Sequence, residues 1–130
     1  FSNKVGVVKL YPGFNPLLLT YFLEHKYQAV FIEGFGSGNI PFLTNSIVPN
    51  IETLNQNGIV VAIGNQMEKG KTNLNAYEAG RKALEAGAIS AQDMTSEAAI
   101  TKLMWLCANY TDSEQIKTEF SKDLVGEVTV

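Results

Sequence analysis

The chain has 130 residues, of which 45% are hydrophobic and 18% charged, and its formal net charge is −3. This composition excludes a disordered chain and fits one domain with a core of its own. The sequence has no basic stripe of the kind that binds nucleic acid and no apolar run long enough to cross a membrane, so neither partner is expected. Its single cysteine, Cys107, excludes a disulfide within the chain and suits a reducing compartment.

The first quarter of the chain reads as strand, helix, strand. Val5–Leu10 is an apolar strand that ends before a proline and a glycine. Asn15 fits the N-cap of a helix over Pro16–Lys26, where apolar residues recur at helical spacing. Ala29–Ile32 is then a short, fully apolar strand.

A second helix and a buried strand follow. The apolar spacing over Phe42–Gln56 predicts a helix, which we expect Pro49 to break or kink. Gly58 is suited to end it, because glycine is the favoured residue just beyond a helix C-terminus. Ile59–Ile63 is apolar at every position, and such continuous runs are typical of strands buried on both faces of a parallel sheet.

A polar loop over 64–75 leads into the last elements. Asn75 could cap a predicted helix over Ala76–Ala86, with Glu78 in the capping-box position, and Ala88–Ala91 is a short fourth strand. This alternation predicts an α/β fold, a three-layer, Rossmann-like sandwich whose four-stranded parallel sheet carries helices on both faces. We expect residues 1–130 to form one domain.

Two more helices are predicted after the fourth strand. Thr95 fits the N-cap of the first, whose buried stripe we assign to Ile100, Leu103, Met104 and Cys107. Thr111 and Glu114 have the spacing of a capping box for the second, which should end near Lys122.

A glycine-rich segment, Glu33–Pro41, follows the second predicted strand directly. It lies at the carboxyl end of the sheet, where open α/β folds bind ligands, and its glycines would allow a close approach of the backbone. The dinucleotide-binding fingerprint fails, because Asn39 stands where its third glycine is needed. A ligand-binding loop and a turn that needs glycine for its shape alone both remain open.

Catalytic side chains are not apparent in the chain. His25 is the sole histidine and sits at a predicted helix end, where a cation is favourable in itself, while Cys107 falls on a buried stripe. One histidine and one cysteine are too few for a soft-ligand metal cluster, so we predict no metal, no cofactor and no catalytic residue.

Six blocks resemble the C-terminal domain of the cytoplasmic-type (type I) bacterial L-asparaginases, and more distantly the related subunit of the amidotransferase that acts on glutamyl-tRNA. The resemblance covers nearly the whole chain and rests on the order and spacing of the blocks. They are Tyr11–Gly13, Gly36–Pro41, Gly70–Asn73, Ala86–Ile89, Asp93–Ala98 and Thr101–Leu103.

The resemblance implies a cytoplasmic enzyme that hydrolyses L-asparagine to L-aspartate and ammonia. The family's threonine nucleophiles belong to an N-terminal domain whose motifs do not occur here, so this chain is expected to be an inactive fragment. It would pack against its own N-terminal domain within a homodimer or homotetramer. The alternatives are the corresponding domain of the tRNA-dependent amidotransferase subunit and a free-standing, non-catalytic ligand-binding module.

The resemblance also assigns site residues. Asn39, together with Gly38, would reach the substrate in a neighbouring subunit, and Tyr77 would lie near the substrate amine. Some type I relatives bind a second asparagine through an arginine and a cysteine, and Glu33 and Met67 occupy those positions here. A glutamate in place of the arginine inverts the charge that would face a carboxylate.

Overall fold

Four parallel strands form one sheet in the part of the chain that the computed structural model describes, residues 1–11, 13–35, 41–65, 81–92, 94–122, 124 and 126. The strands are β1 (Val5–Lys9), β2 (Ala29–Phe35), β3 (Val60–Asn65) and β4 (Ile89–Ser90), and they lie side by side in chain order. The predicted four-stranded parallel sheet is confirmed.

The helices form a layer on each face of this sheet. A 3₁₀ turn (Pro16–Leu19), α1 (Thr20–Glu24), α2 (Pro41–Gln56) and α3 (described over 81–85) come before β4. Helices α4 (Ser96–Asn109) and α5 (Ser113–Phe120) come after it. Right-handed crossovers between strands in sequential order place the early helices on one face, which leaves the other face to α4 and α5. The three-layer prediction is confirmed.

The two inner strands have an apolar side chain buried on each face. Val30, Ile32 and Val61 pack with residues of α1, α2 and α3, whereas Phe31 and Val60 pack with residues of α4 and α5. All five are completely buried. Continuous apolar sequence therefore means, as predicted, a strand covered on both sides.

The first predicted helix is right in its start and wrong in its length. Asn15 caps it, since its Oδ1 accepts a hydrogen bond of 3.0 Å from the amide of Leu17. The first turn is a 3₁₀ helix and α1 ends at Glu24 rather than Lys26, which has a positive φ of 55°. Tyr21 is half-exposed, so helical spacing here did not mean burial.

Helix α2 is unbroken, so the expected break at Pro49 is wrong. Proline removes one backbone hydrogen bond and costs about 3 kcal/mol inside a helix. Pro49 is exposed, and the same helix buries Ile47, Ile51 and Leu54 almost completely against the sheet. The burial of these three side chains offsets the lost bond, at roughly 1.5–3 kcal/mol each.

Helix α4 begins where predicted and buries a stripe shifted from the expected one. Thr95 is its N-cap, and its Oγ1 accepts a 3.1 Å hydrogen bond from the amide of Ala98. Leu103 and Cys107 are buried as expected, but Ile100 and Met104 are only partly covered. The rest of the buried stripe is formed by Ala99, Lys102 and Leu106.

The predicted capping box of the last helix is wrong. Helix α5 starts at Ser113, so its N-cap is Asp112, which makes no side-chain capping bond. Thr111 therefore lies one residue before the cap, and Glu114 is in the first turn, where a carboxylate favours the helix dipole without closing a box.

Candidate functional site

The carboxyl edge of the sheet differs from its prediction at β2. This strand continues through Glu33 and Gly34 to Phe35, three residues that the sequence analysis assigned to the glycine-rich loop. They are ladder residues, because Glu33 is in register with Lys9 of β1 and Phe35 with Asn65 of β3. The segment that leaves the sheet thus begins later than expected.

A β-bulge interrupts the register of β2 at this edge. Glu33 is in register with Gly64 and Phe35 with Asn65, which leaves Gly34 without a partner residue on β3. Gly34 is buried and has a φ of 113°. On its other side it lies against Leu10, whose amide donates a 2.8 Å hydrogen bond to the carbonyl of Glu33.

The end of β1 presents an aromatic side chain beside the bulge. Tyr11 follows Leu10 and is half-exposed. Its ring meets that of the buried Phe14 edge-to-face, with 5.6 Å between the ring centroids, and its carbonyl accepts a 3.0 Å bond from the Phe14 amide. The turn is therefore anchored in the core while its tyrosine stays accessible.

Of the site residues predicted from sequence, only Glu33 falls within the described residues. It is half-buried in β2, on the same sheet edge as Lys9. Gly38, Asn39, Met67 and Tyr77 lie outside the described residues, as does most of the segment between β2 and α2 and between β3 and α3. Their assigned roles stay predictions.

The order of the strands has a consequence for this edge. Open α/β sheets bind ligands in a crevice where the strand order reverses and the chain departs in opposite directions. Here β1 to β4 are neighbours in chain order throughout the described sheet. The sheet therefore has no reversal and no crevice of that kind, and a ligand at its edge needs groups from elsewhere.

Sequence reasoning missed an apolar groove along α4. It has a volume of about 680 Å³ and is lined by Phe1, Glu97, Ala98, Thr101, Lys102, Trp105 and Leu124. Trp105 is 44% exposed, and Phe1 75%. Residues 98, 101, 102 and 105 share one face of a helix, and this spacing was the available signal.

Lys102 connects α4 to α5 beneath this groove. It is 7% exposed, and its Nζ donates a hydrogen bond to the carbonyl of Lys122 and lies 5.6 Å from the centroid of the Phe120 ring. A cation that bonds a carbonyl just beyond a helix C-terminus is favourable. Its position three residues after Ala99 already placed it on the buried stripe.

His25 and Cys107 have structural surroundings. His25 is exposed at the end of α1, and its ring lies 4.1 Å from that of Tyr21. The described residues contain no group of three or more His, Cys, Asp or Glu that could hold a metal. Among them, too, no helix is long and apolar enough to cross a membrane.

We expect Cys107 to be inert toward thiol reagents at pH 8 in the folded protein. Burial raises the pKa of its thiol from an ordinary value of 9.0 to about 11. The thiolate is the reactive form, so reaction with a disulfide reagent should be slow until denaturant is added, when one thiol per chain should react. Fast reaction of the native chain would contradict the burial.

The same shift predicts how stability depends on pH. The folded state holds the Cys107 proton more tightly than the unfolded state, so this contribution is constant below pH 9 and is lost as the pH rises toward 11. In urea titrations, the fall in unfolding free energy between pH 9 and 11 should be smaller for Cys107→Ala than for the unchanged protein.

Comparison with known proteins gives a consistent family. The model of the glutaminase/asparaginase C-terminal domain family matches residues 4–120. A glutamyl-tRNA(Gln) amidotransferase chain of Pyrococcus horikoshii, one of the subunits of that enzyme, is 37% identical over 128 residues, which is 98% of this chain and 28% of the relative.

Solved structures of L-asparaginases share the fold. The thermostable L-asparaginase of Thermococcus kodakarensis superposes with a TM-score of 0.79 at 34% identity, covering 97% of this chain and 38% of that one. L-asparaginase I of Vibrio cholerae gives a TM-score of 0.75 at 25% identity, with 99% and 39% covered. The chain thus spans less than two-fifths of these relatives, over which its own sheet and helices are matched almost completely. On the family match and the shared parallel sheet, the chain belongs to the glutaminase/asparaginase C-terminal domain family.

Proposed function

We propose that this chain is the C-terminal domain of an L-asparaginase of the cytoplasmic type, which hydrolyses L-asparagine to L-aspartate and ammonia. The observation that carries the proposal is the match to an L-asparaginase over 97% of the chain at 34% identity. The catalytic threonines would belong to another domain of the full-length enzyme. This agrees with an edge that has polar and glycine residues but no crevice of its own.

In this proposal the domain completes the active site of a neighbouring subunit in a homodimer or homotetramer. Asn39 would hold the α-ammonium or α-carboxylate of the substrate, since a side-chain amide offers both a donor and an acceptor. Gly38 would allow the close approach, and Tyr77 would line the site. With Glu33 and Met67 at the regulatory positions, we propose that no second asparagine binds there.

The alternative is a role within a glutamyl-tRNA(Gln) amidotransferase, in which the released ammonia serves a partner. The specific observation in its favour is the name of the P. horikoshii relative, which at 37% identity is about as similar as the L-asparaginase. Both readings have amide hydrolysis in common and differ in what receives the ammonia. The sequence that precedes Phe1 in the gene would help to separate them, because the related amidotransferase chain carries an additional N-terminal domain.

Ammonia release by the purified full-length protein tests both readings. L-asparagine and L-glutamine would each be supplied alone, and again with glutamylated tRNA(Gln), ATP and a cell extract as the source of any partner protein. Rapid release from L-asparagine alone supports the L-asparaginase. Release that depends on glutamylated tRNA supports the amidotransferase, and no release under any condition contradicts both.

A further inference from the structure

The bulge at the end of β2 fixes the direction in which the chain leaves the sheet. We propose that Gly34 is a positioning residue for the substrate site: its conformation and its contact with Leu10 aim the segment that follows Phe35. The inference rests on the proposed function, because it assigns a role to that segment in binding substrate. Every observation behind it belongs to the described strands.

The register shows what the bulge does. Between the partners of Gly64 and Asn65, β2 has one residue more than β3, and this residue is Gly34. An extra residue in one strand bends it and increases its local twist, and bulges are frequent beside active sites, where they re-aim side chains. Without it, the residues after Phe35 would present their opposite faces, since side chains alternate along a strand.

Two independent observations restrict this position to glycine. The φ of 113° is a conformation that side chains with a Cβ rarely adopt. A Cβ would also lie 3.2 Å from the carbonyl oxygen and 3.3 Å from the Cβ of Leu10. Leu10 cannot move aside easily, because it is 2% exposed and its amide is bonded to the carbonyl of Glu33. A substitution at Gly34 should therefore shift the end of β2 relative to β1.

The opposite edge of the sheet supplies a matched control. Gly87 precedes β4 and has a φ of 109°, close to that of Gly34, and its Cβ would meet the side chain of Asn55 at 2.3 Å. Gly87→Ala thus combines the same backbone strain with a closer contact, but at the amino end of the strands. A purely structural role for Gly34 predicts that the two substitutions have similar consequences.

The test compares Gly34→Ala with Gly87→Ala in the full-length enzyme, with L-asparagine as substrate. We expect both variants to lower the melting temperature, but only Gly34→Ala to raise KM, by about 10- to 100-fold at a nearly unchanged kcat. A KM that is the same in both variants would overturn the inference. Assays at a fixed interval below the melting temperature of each variant keep both folded.

Hydrogen exchange separates this inference from the proposed function and covers a variant that does not fold. If the unchanged enzyme releases no ammonia from L-asparagine, the proposed function fails, and exchange then decides about Gly34. Amides of residues 35–41 should exchange faster in Gly34→Ala than in Gly87→Ala, and equal rates would overturn the inference. In the unchanged protein, the Leu10 amide should exchange as slowly as that of Val30. Fast exchange there would show that the bulge is not held, and would overturn it without any variant.

Discussion

Phe31→Ala is expected to lower the free energy of unfolding by about 3–5 kcal/mol, a large fraction of the stability of a domain of this size. Phe31 is completely buried on the face of the sheet that α4 and α5 cover, in one cluster with Leu103 and Leu106. Removing the ring leaves a cavity among side chains that are fixed by the sheet on one side and by two helices on the other. Urea titration measures the loss as a lower transition midpoint.

Val7→Ala is the control for this prediction, because it also truncates an apolar residue of the sheet. Val7 lies in the edge strand β1 and is 50% exposed, so the change should cost well under 1 kcal/mol. Equal losses for Phe31→Ala and Val7→Ala would contradict the view that the ring is part of a rigid core.

The same ring explains why residue 64 is glycine. A Cβ on Gly64 would lie 2.4 Å from Cζ of Phe31, so Gly64→Ala alone should overpack the core at a cost of about 1–3 kcal/mol. In a double-mutant cycle, Phe31→Leu should reduce that cost, because it removes the atom that the new methyl group meets. Additive losses would show that the two positions are independent.

Gly64 and Gly34 also show where sequence reasoning reached its limit. The apolar run before each glycine predicted a buried parallel strand correctly, since this depends on local composition alone. Both glycines were placed in loops, although each is a residue of a strand. Their requirement for glycine comes from Phe31 on β2 and Leu10 on β1, and these contacts between strands exist only after the sheet has formed.

Helix ends divide in the same way. The cap at Thr95 could be predicted because it needs only residues within one turn. The capping box at Thr111 has equally good local spacing, yet α5 starts one residue later. Burial of Ile116 and Phe120 selects the face of α5 that meets the sheet, and this tertiary requirement outweighs a single side-chain bond.

The candidate site was predictable in its position but not in its completeness. The carboxyl edge follows from the alternation of strands and helices, and the polar and glycine residues after β2 drew attention to it. Whether a crevice exists there depends on strand order, which local periodicity does not determine. The sequential order β1 to β4 leaves the described edge without one. A domain of this kind contributes residues to a site that other parts of an assembly enclose.

Asn39→Ala in the full-length enzyme is expected to lower kcat/KM for L-asparagine by about 10- to 100-fold. The reason is the loss of a hydrogen bond to a charged substrate group, which contributes about 1.5–3 kcal/mol, where 1.4 kcal/mol corresponds to a factor of ten. The melting temperature should not change, because a polar residue that contacts substrate is not part of the core. Steady-state ammonia release measures the first quantity and thermal unfolding the second.

Asn109→Ala is a matched control, since it makes the same change at an exposed position at the end of α4 and should leave kcat/KM unaltered. Two substrate analogues then identify the group that Asn39 holds. If it binds the α-ammonium, Asn39→Ala and the unchanged enzyme should hydrolyse succinamate, which lacks that group, at equal rates. If it binds the α-carboxylate, they should instead become equal on 3-aminopropanamide. An Asn39→Ala enzyme with unaltered kcat/KM for L-asparagine would remove Asn39 from the site, and with it the reason for aiming the segment that Gly34 introduces.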